Sequence, residues 1–169
     1  IIGWVCSTQG SVKIDKKILN LFPNLKILCS PSTGLTHLNL DDLNKKKIKI
    51  IYLNDINYNL KIKSSSEFTI ALLLSVIRKI PLANTKVLNN NWRNLENNVR
   101  AHELSYYQFG IFGFGRIGKN VFKFLKNRTK KINYYDPYIS NSICKRIKNL
   151  DQFLKKTNFL IICSSLNKE

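Results

Sequence analysis

Three observations predict an α/β protein made of two parallel-sheet units. Short apolar runs of strand length alternate with apolar residues at helical spacing along the 169 residues. A Gly-x-Gly-x-x-Gly spacing, at Gly113, Gly115 and Gly118, stands between one such run and one such helix. A polar stretch, Asn54 to Lys63, separates the alternation into an earlier and a later half.

Ile1 to Cys6 is a short apolar run suited to a strand buried on both faces. Val12, Ile14, Ile18, Leu19 and Phe22 follow at roughly helical spacing until Pro23-Asn24 breaks the pattern. Leu25 to Cys29 is a second strand. It runs into Ser30-Pro31-Ser32-Thr33-Gly34, a turn-rich loop at the carboxyl end of a strand, where open α/β sheets bind ligands. Asn39, Asp41 and Asp42 cap a short helix that ends at Lys45-Lys46-Lys47, and Ile48 to Leu53 is a third strand. Asn54 to Lys63 reads as a linker.

Ser64-Ser65-Ser66-Glu67 then matches a capping box, with Ser64 as N-cap and Glu67 reaching back. The helix it opens is apolar around most of its circumference to about Lys79, which predicts burial on several sides, and Pro81 marks its end. Asn84 to Tyr107 is polar and poorly periodic, with Trp92 as its large anchor; an arm over a partner subunit would account for it. Beyond the glycine turn, Ile143 to Lys156 reads as a helix and Asn158 to Cys163 as the third strand of the later unit.

The glycine turn carries the chemistry. Gln108 to Phe112 is a strand-length run before it, and Val121, Phe122 and Leu125 are helically spaced after it. In such a turn the first glycine permits a tight bend, the second lets backbone approach a pyrophosphate, and the third lets helix and strand pack closely. The helix N-terminus then faces the phosphates. A further run, Ile132 to Tyr135, ends at Asp136, 18 residues past the last glycine, near the distance expected for an acid that accepts hydrogen bonds from ribose hydroxyls. A carboxylate there repels a 2′-phosphate, which favours NAD over NADP.

Composition narrows the function classes. The net charge of +18 would suit a polyanionic partner, but the lysines are spread along the chain without interleaved aromatics, asparagine occurs 21 times and alanine 3 times. This is the composition of an A+T-rich coding sequence, and no nucleic-acid partner is expected. No apolar run approaches the ~20 residues needed to span a bilayer. Cys6, Cys29, Cys144 and Cys163 form no Cys-x-x-Cys pair and read as buried thiols of a reducing cytoplasm. No metal-ligating set is apparent.

Taken in order, five segments, the glycine turn among them, give the chain a resemblance to the D-isomer-specific 2-hydroxyacid dehydrogenase family, which includes phosphoglycerate dehydrogenase. They are Pro23-Asn24-Leu25-Lys26 leading to Ser32-Thr33-Gly34; Ser66-Glu67-Phe68-Thr69 through Arg78-Lys79-Ile80-Pro81; Asn91-Trp92-Arg93 with His102-Glu103-Leu104; Gly110 through Gly118; and Tyr135-Asp136-Pro137. The resemblance implies a partial flavodoxin-like substrate domain over residues 1–63, N-terminally incomplete, and the first half of a Rossmann NAD-binding domain over residues 64–169, C-terminally truncated. It implies hydride transfer between NAD and a small D-2-hydroxy or 2-oxo acid in a homodimer. Backbone at Thr33, Gly34 and Leu35 would hold the substrate carboxylate. Arg116 and Ile117 would offer amides to the pyrophosphate, the Arg116 side chain would add charge, and Asp136 would take the adenine ribose.

Thr36, Asn39, Tyr106-Tyr107 and Ser165 depart from the family pattern. The arginine, glutamate and histidine of family catalysis belong to a later stretch, and His37 and His102 match neither the order nor the setting of that histidine, so no catalytic residue is assigned. A catalytically silent dinucleotide-binding sensor or corepressor-like protein is the alternative reading. Both ends look cut, which leads to the expectation of an inactive, poorly soluble piece in which the strand Gln108 to Phe112 has one flank unpaired.

Overall fold

The computed structural model describes residues 1–7, 13–89, 96–140 and 142–165. Over these the chain forms two compact units, Ile1–Lys61 and Ile62–Ser165.

The first unit contains β1 (Gly3–Val5), α1 (Lys16–Asn20), β2 (Ile27–Ser30), α2 (Leu40–Lys45), β3 (Lys49–Tyr52) and α3 (Ile56–Lys61). Its strands are parallel in the order β1-β2-β3, with Val5 beside Cys29 and Cys29 beside Ile51. Two crossovers stepping in the same direction with the usual right hand bring both helices to one face. There Leu19, Leu28, Leu43 and Ile48 form a core with Cys6, Ile14, Leu25 and Leu38. The opposite face carries Val5, Ile27 and Ile51, exposed at 72%, 36% and 47%. The expected burial of the first strand on both faces is thus corrected, because crossovers of one direction cover a sheet only once.

Local side chains start these helices. Asp15 accepts from the N–H groups of Lys17 (2.9 Å) and Ile18 (3.3 Å), and Asn39 caps α2 by accepting from Asp42 (3.4 Å). The stretch read as a linker contains α3, which Asp55 nucleates by accepting from Asn57 (2.8 Å) and Tyr58 (3.2 Å).

The second unit contains α4 (Ser64–Ile77), α5 (Ile80–Leu88), α6 (Glu96–Val99), a 3₁₀ turn over Leu104–Tyr106, β4 (Phe109–Phe112), α7 (Arg116–Leu125), β5 (Ile132–Tyr135), β6 (Lys145–Arg146), α8 (Leu150–Lys155) and β7 (Phe159–Ile162). All four strands are parallel, in the order β6-β5-β4-β7. The chain steps outward from β4 through β5 to β6, then returns to the far side of β4. That reversal places α7 and α8 on opposite faces: a Cβ on Gly118 of α7 would approach Ile111, while one on the neighbouring strand residue Gly110 would strike Phe153 of α8. Phe109, Ile111, Phe114, Val121, Leu125 and Tyr134 are fully buried between these layers.

Several expectations are corrected here. Residues read as one helix from Ile143 begin instead with β6, whose Lys145 and Arg146 lie beside Asn133 and Tyr134. The chain returns through α8, started by Asn149 accepting from Gln152 at 2.9 Å. The strand at 159–162 is therefore the fourth, and it fills the flank of β4 that was expected to stand empty. Lys63, not Ser64, holds the cap position of α4. Its αR backbone (φ −109°, ψ −16°) departs from the extended form that side-chain capping uses, and no side chain caps the helix. Ser66 Oγ instead donates to the Lys63 carbonyl at 2.7 Å.

One stripe of α4, Ser66, Ile70, Leu73 and Ile77, is buried or half-buried, whereas Phe68, Leu72 and Val76 are exposed at 66%, 51% and 63%. Burial is one-sided because α4 packs against α7 and, past the turn at Lys79, meets only the following helix α5 among the neighbouring helices described, which leaves Phe68, Leu72 and Val76 uncovered. Pro81 sits in the first turn of α5, where its missing N–H is no loss, after Lys79 turns the chain at φ 51°. Trp92 lies outside the described residues, whereas much of the polar stretch read as an unstructured arm is helical, supplying the end of α5, α6 and the 3₁₀ turn. No single helix among the described residues is long and apolar enough to cross a membrane.

Candidate cofactor site

The order reversal at β4 makes the carboxyl ends of β4 and β7 the switch point at which open α/β sheets bind ligands, and the glycine turn directly follows β4 there. Gly113 has φ +88°, and a Cβ there would meet Ser164 N at 2.7 Å, so both conformation and space demand glycine. Its own N–H donates to the Tyr135 carbonyl at 2.8 Å. At Gly118 an added Cβ would collide with the Gly113 carbonyl oxygen, which fixes how closely α7 sits on the turn. Gly115 is different. A Cβ there would meet nothing within 4 Å, which leaves room before the N-terminus of α7.

Gly115 is the N-cap of α7, no side chain accepts from the first turn, and that turn holds no acid. The orphan N–H groups and the positive end of the helix dipole are thus available to an anion. An open cradle over uncapped amides fits a pyrophosphate. The Ile117 side chain packs half-buried against the core. The Arg116 guanidinium is half-engaged: Nη1 donates to the Ile62 carbonyl at 2.5 Å.

Asp136 lies at the end of β5 and is 8% exposed. Oδ2 accepts from Phe114 N–H at 2.7 Å, and Oδ1 accepts from Tyr138 N–H at 2.9 Å and Ile139 N–H at 2.8 Å. Burial pushes this carboxyl up, but the three N–H groups and the nearby Arg146 guanidinium outweigh burial and hold it below the ordinary carboxylate range. A carboxylate offers about four acceptor positions; three are taken by these N–H groups and one remains. The predicted Gly113, Gly115, Gly118 and Asp136 thus come together around one turn, with Asp136 holding that turn in shape.

Two members of the site escaped the sequence reading. Phe114, a freely variable position in the motif spacing, is fully buried and stacks on Tyr134 with centroids 4.0 Å apart. Arg146 donates through Nε and Nη2 to the Asp136 carbonyl oxygen at 3.1 and 2.7 Å, and through Nη2 to that of Pro137 at 3.0 Å. No motif marks either position. The apolar alternation Phe112, Phe114 was the available signal for Phe114.

In the first unit Thr33 and Gly34 are exposed and Leu35 is half-buried against the core. Gly34 N–H donates to Ser32 Oγ at 3.2 Å, and the Leu35 carbonyl accepts from Leu38 N–H at 2.9 Å. His37 braces this loop, its Nε2 3.0 Å from Ser30 Oγ. His102 stacks on Tyr106 at 3.9 Å. The cysteines are free thiols; burial raises Cys6, and lifts Cys144 and Cys163 to about 11, so these three are protonated at neutral pH. Among the described residues no cluster of His, Cys, Asp and Glu could hold a metal ion.

Residues 70–169 match the family model for the D-isomer specific 2-hydroxyacid dehydrogenase, NAD binding domain. The chain belongs to this family. Among dehydrogenases of known sequence, it is 29% identical over 164 residues to the glyoxylate reductase of Thermofilum pendens, covering 93% of this chain and 47% of that protein. It is 25% identical over 165 residues to the D-3-phosphoglycerate dehydrogenase of Bacillus subtilis, covering 95% and 30%. An NAD-dependent formate dehydrogenase from Staphylococcus aureus, solved in complex with NAD, shares the fold with a TM-score of 0.85 at 23% identity, over 100% of this chain and 50% of that one. The chain therefore spans half or less of each of these relatives, and the stretch that matches the family model includes the glycine turn.

Proposed function

We propose that the chain is the cofactor-holding part of an NAD-dependent oxidoreductase that moves a hydride between the nicotinamide and the α-carbon of a small D-2-hydroxy or 2-oxo acid. The observation that carries this reading is the uncapped N-terminus of α7 behind the open Gly115 position, at the point where strand order reverses. Bound NAD would supply the hydride or accept it. Gly113, Gly115 and Gly118 shape the seat, and the amides of Arg116 and Ile117 hold the pyrophosphate. Asp136 accepts from the adenine ribose and disfavours a 2′-phosphate. Thr33, Gly34 and Leu35 present backbone to the substrate carboxylate, with Thr33 the freest of the three because Gly34 N–H is turned onto Ser32. The same proposal includes a homodimer and a cytoplasmic setting, the latter supported by the free thiols.

Calorimetric titration tests the cofactor half: NAD binds, NADP binds at least tenfold more weakly, and Gly115→Val, which fills the cradle, abolishes both. Equal binding of NAD and NADP would remove Asp136 from its role. Turnover of glyoxylate or hydroxypyruvate with NADH by the intact protein tests the reaction; NAD binding with no turnover on any small 2-oxo acid would point to a silent sensor. Sedimentation of the intact protein tests the dimer.

A further inference from the structure

Arg116 occupies two places at once. It is the first residue of α7, directly after the open Gly115 position, and its Nη1 donates at 2.5 Å to the carbonyl of Ile62, 54 residues earlier in the chain. Ile62 is the first residue of the second unit and directly follows Lys61, the last of the first. The following Lys63 is held from within α4, its carbonyl accepting from Ser66 Oγ at 2.7 Å and from Glu67 N–H at 3.0 Å. Arg116 is thus the side chain that ties the entry of α4 to the glycine turn.

We infer that Arg116 couples cofactor occupancy to the order of the segment joining the two units. A guanidinium presents five N–H donors in a fixed planar fork. With Nη1 on Ile62, the remaining donors are free to engage an oxyanion at the N-terminus of α7. A pyrophosphate seated there fixes the guanidinium from its second side, and the charge-assisted bond adds to the hold on the Ile62 carbonyl. Arg116 is a positioning residue for the linker as well as a phosphate ligand. The inference rests on the NAD reading and extends it from the seat to the junction.

Hydrogen exchange of the chain with and without saturating NAD tests the coupling, with NAD occupancy confirmed separately by calorimetry. In wild type, NAD slows exchange of the amides from Ile62 to Ser66 by about tenfold or more. In Arg116→Gln the same amides exchange faster without NAD and do not slow when NAD saturates the site through the turn amides. Arg116→Lys keeps the charge but lacks the fork, and it restores NAD affinity without restoring the slowing. Equal slowing in wild type and Arg116→Gln, or none in wild type that binds NAD, overturns the coupling alone. A chain that takes no NAD overturns the cofactor reading and the coupling with it. If Arg116→Gln unfolds, the lysine variant and wild type decide the matter between them.

Discussion

Both units build parallel strands joined by helices, yet among the described residues only the second reverses its strand order. In the first unit the strands run in chain order, so α1 and α2 share a face and the other face stays open at Val5, Ile27 and Ile51. In the second, the chain doubles back past β4, α7 and α8 take opposite faces, and the glycine turn is left between diverging connections. The position of a ligand site is therefore set by the direction of the crossovers before any side chain is chosen. Side chains then decide what the site holds.

Substitutions should separate the two units in order of effect. Phe114→Ala, which empties the fully buried position stacked on Tyr134, should destabilise the second unit by about 3–5 kcal/mol in denaturant unfolding. Amide exchange within β1, β2 and β3 should be unchanged; a matching loss there would show that the units do not stand independently. Gly113→Ala forces a side chain into φ +88° against Ser164 and should cost roughly 1–3 kcal/mol and most of the NAD affinity.

Asp136→Asn removes a charge that three N–H groups point at and should cost about 1–3 kcal/mol at neutral pH. The pH dependence has a defined sign. Because the folded carboxyl sits below its ordinary value, its stabilisation is complete above the ordinary pKa of about 3.9 and is lost as pH falls through the lower folded value. Acid unfolding of Asp136→Asn should show a shallower slope in that window, and an unchanged slope would remove Asp136 as its source. The smallest effect belongs to the open face: Ile51→Thr should lie within about 0.5 kcal/mol of wild type, whereas Ile161→Thr, buried in β7, should cost several-fold more.

The parts of this fold that are legible in the sequence are those written in local chemistry. The glycine spacing marks a turn between one strand and the next helix, Asp136 accepts from Tyr138 and Ile139 just beyond it, and Asn39 caps the turn that follows it. Features fixed by distant partners are not legible. The two-residue strand β6 is too short for a periodic signal and exists because Tyr134 lies beside it. The proline at 81 reads equally well as an end or a beginning, and Lys79 in a left-handed conformation decides for the beginning. Ser64 offers a capping pattern, but the backbone at Lys63 does not turn the way that pattern needs. The double duty of Arg116 requires knowing that Ile62 lies alongside.

The burial of Phe114 limits how this chain can drift. The three-glycine spacing allows any residue between the first two glycines, yet here that residue is a core aromatic face to face with Tyr134. Exchange of either ring for a smaller one is tolerable only if the other enlarges, so positions 114 and 134 are bound to change together across generations. The glycine turn has in this way inherited the mutational rigidity of a hydrophobic core.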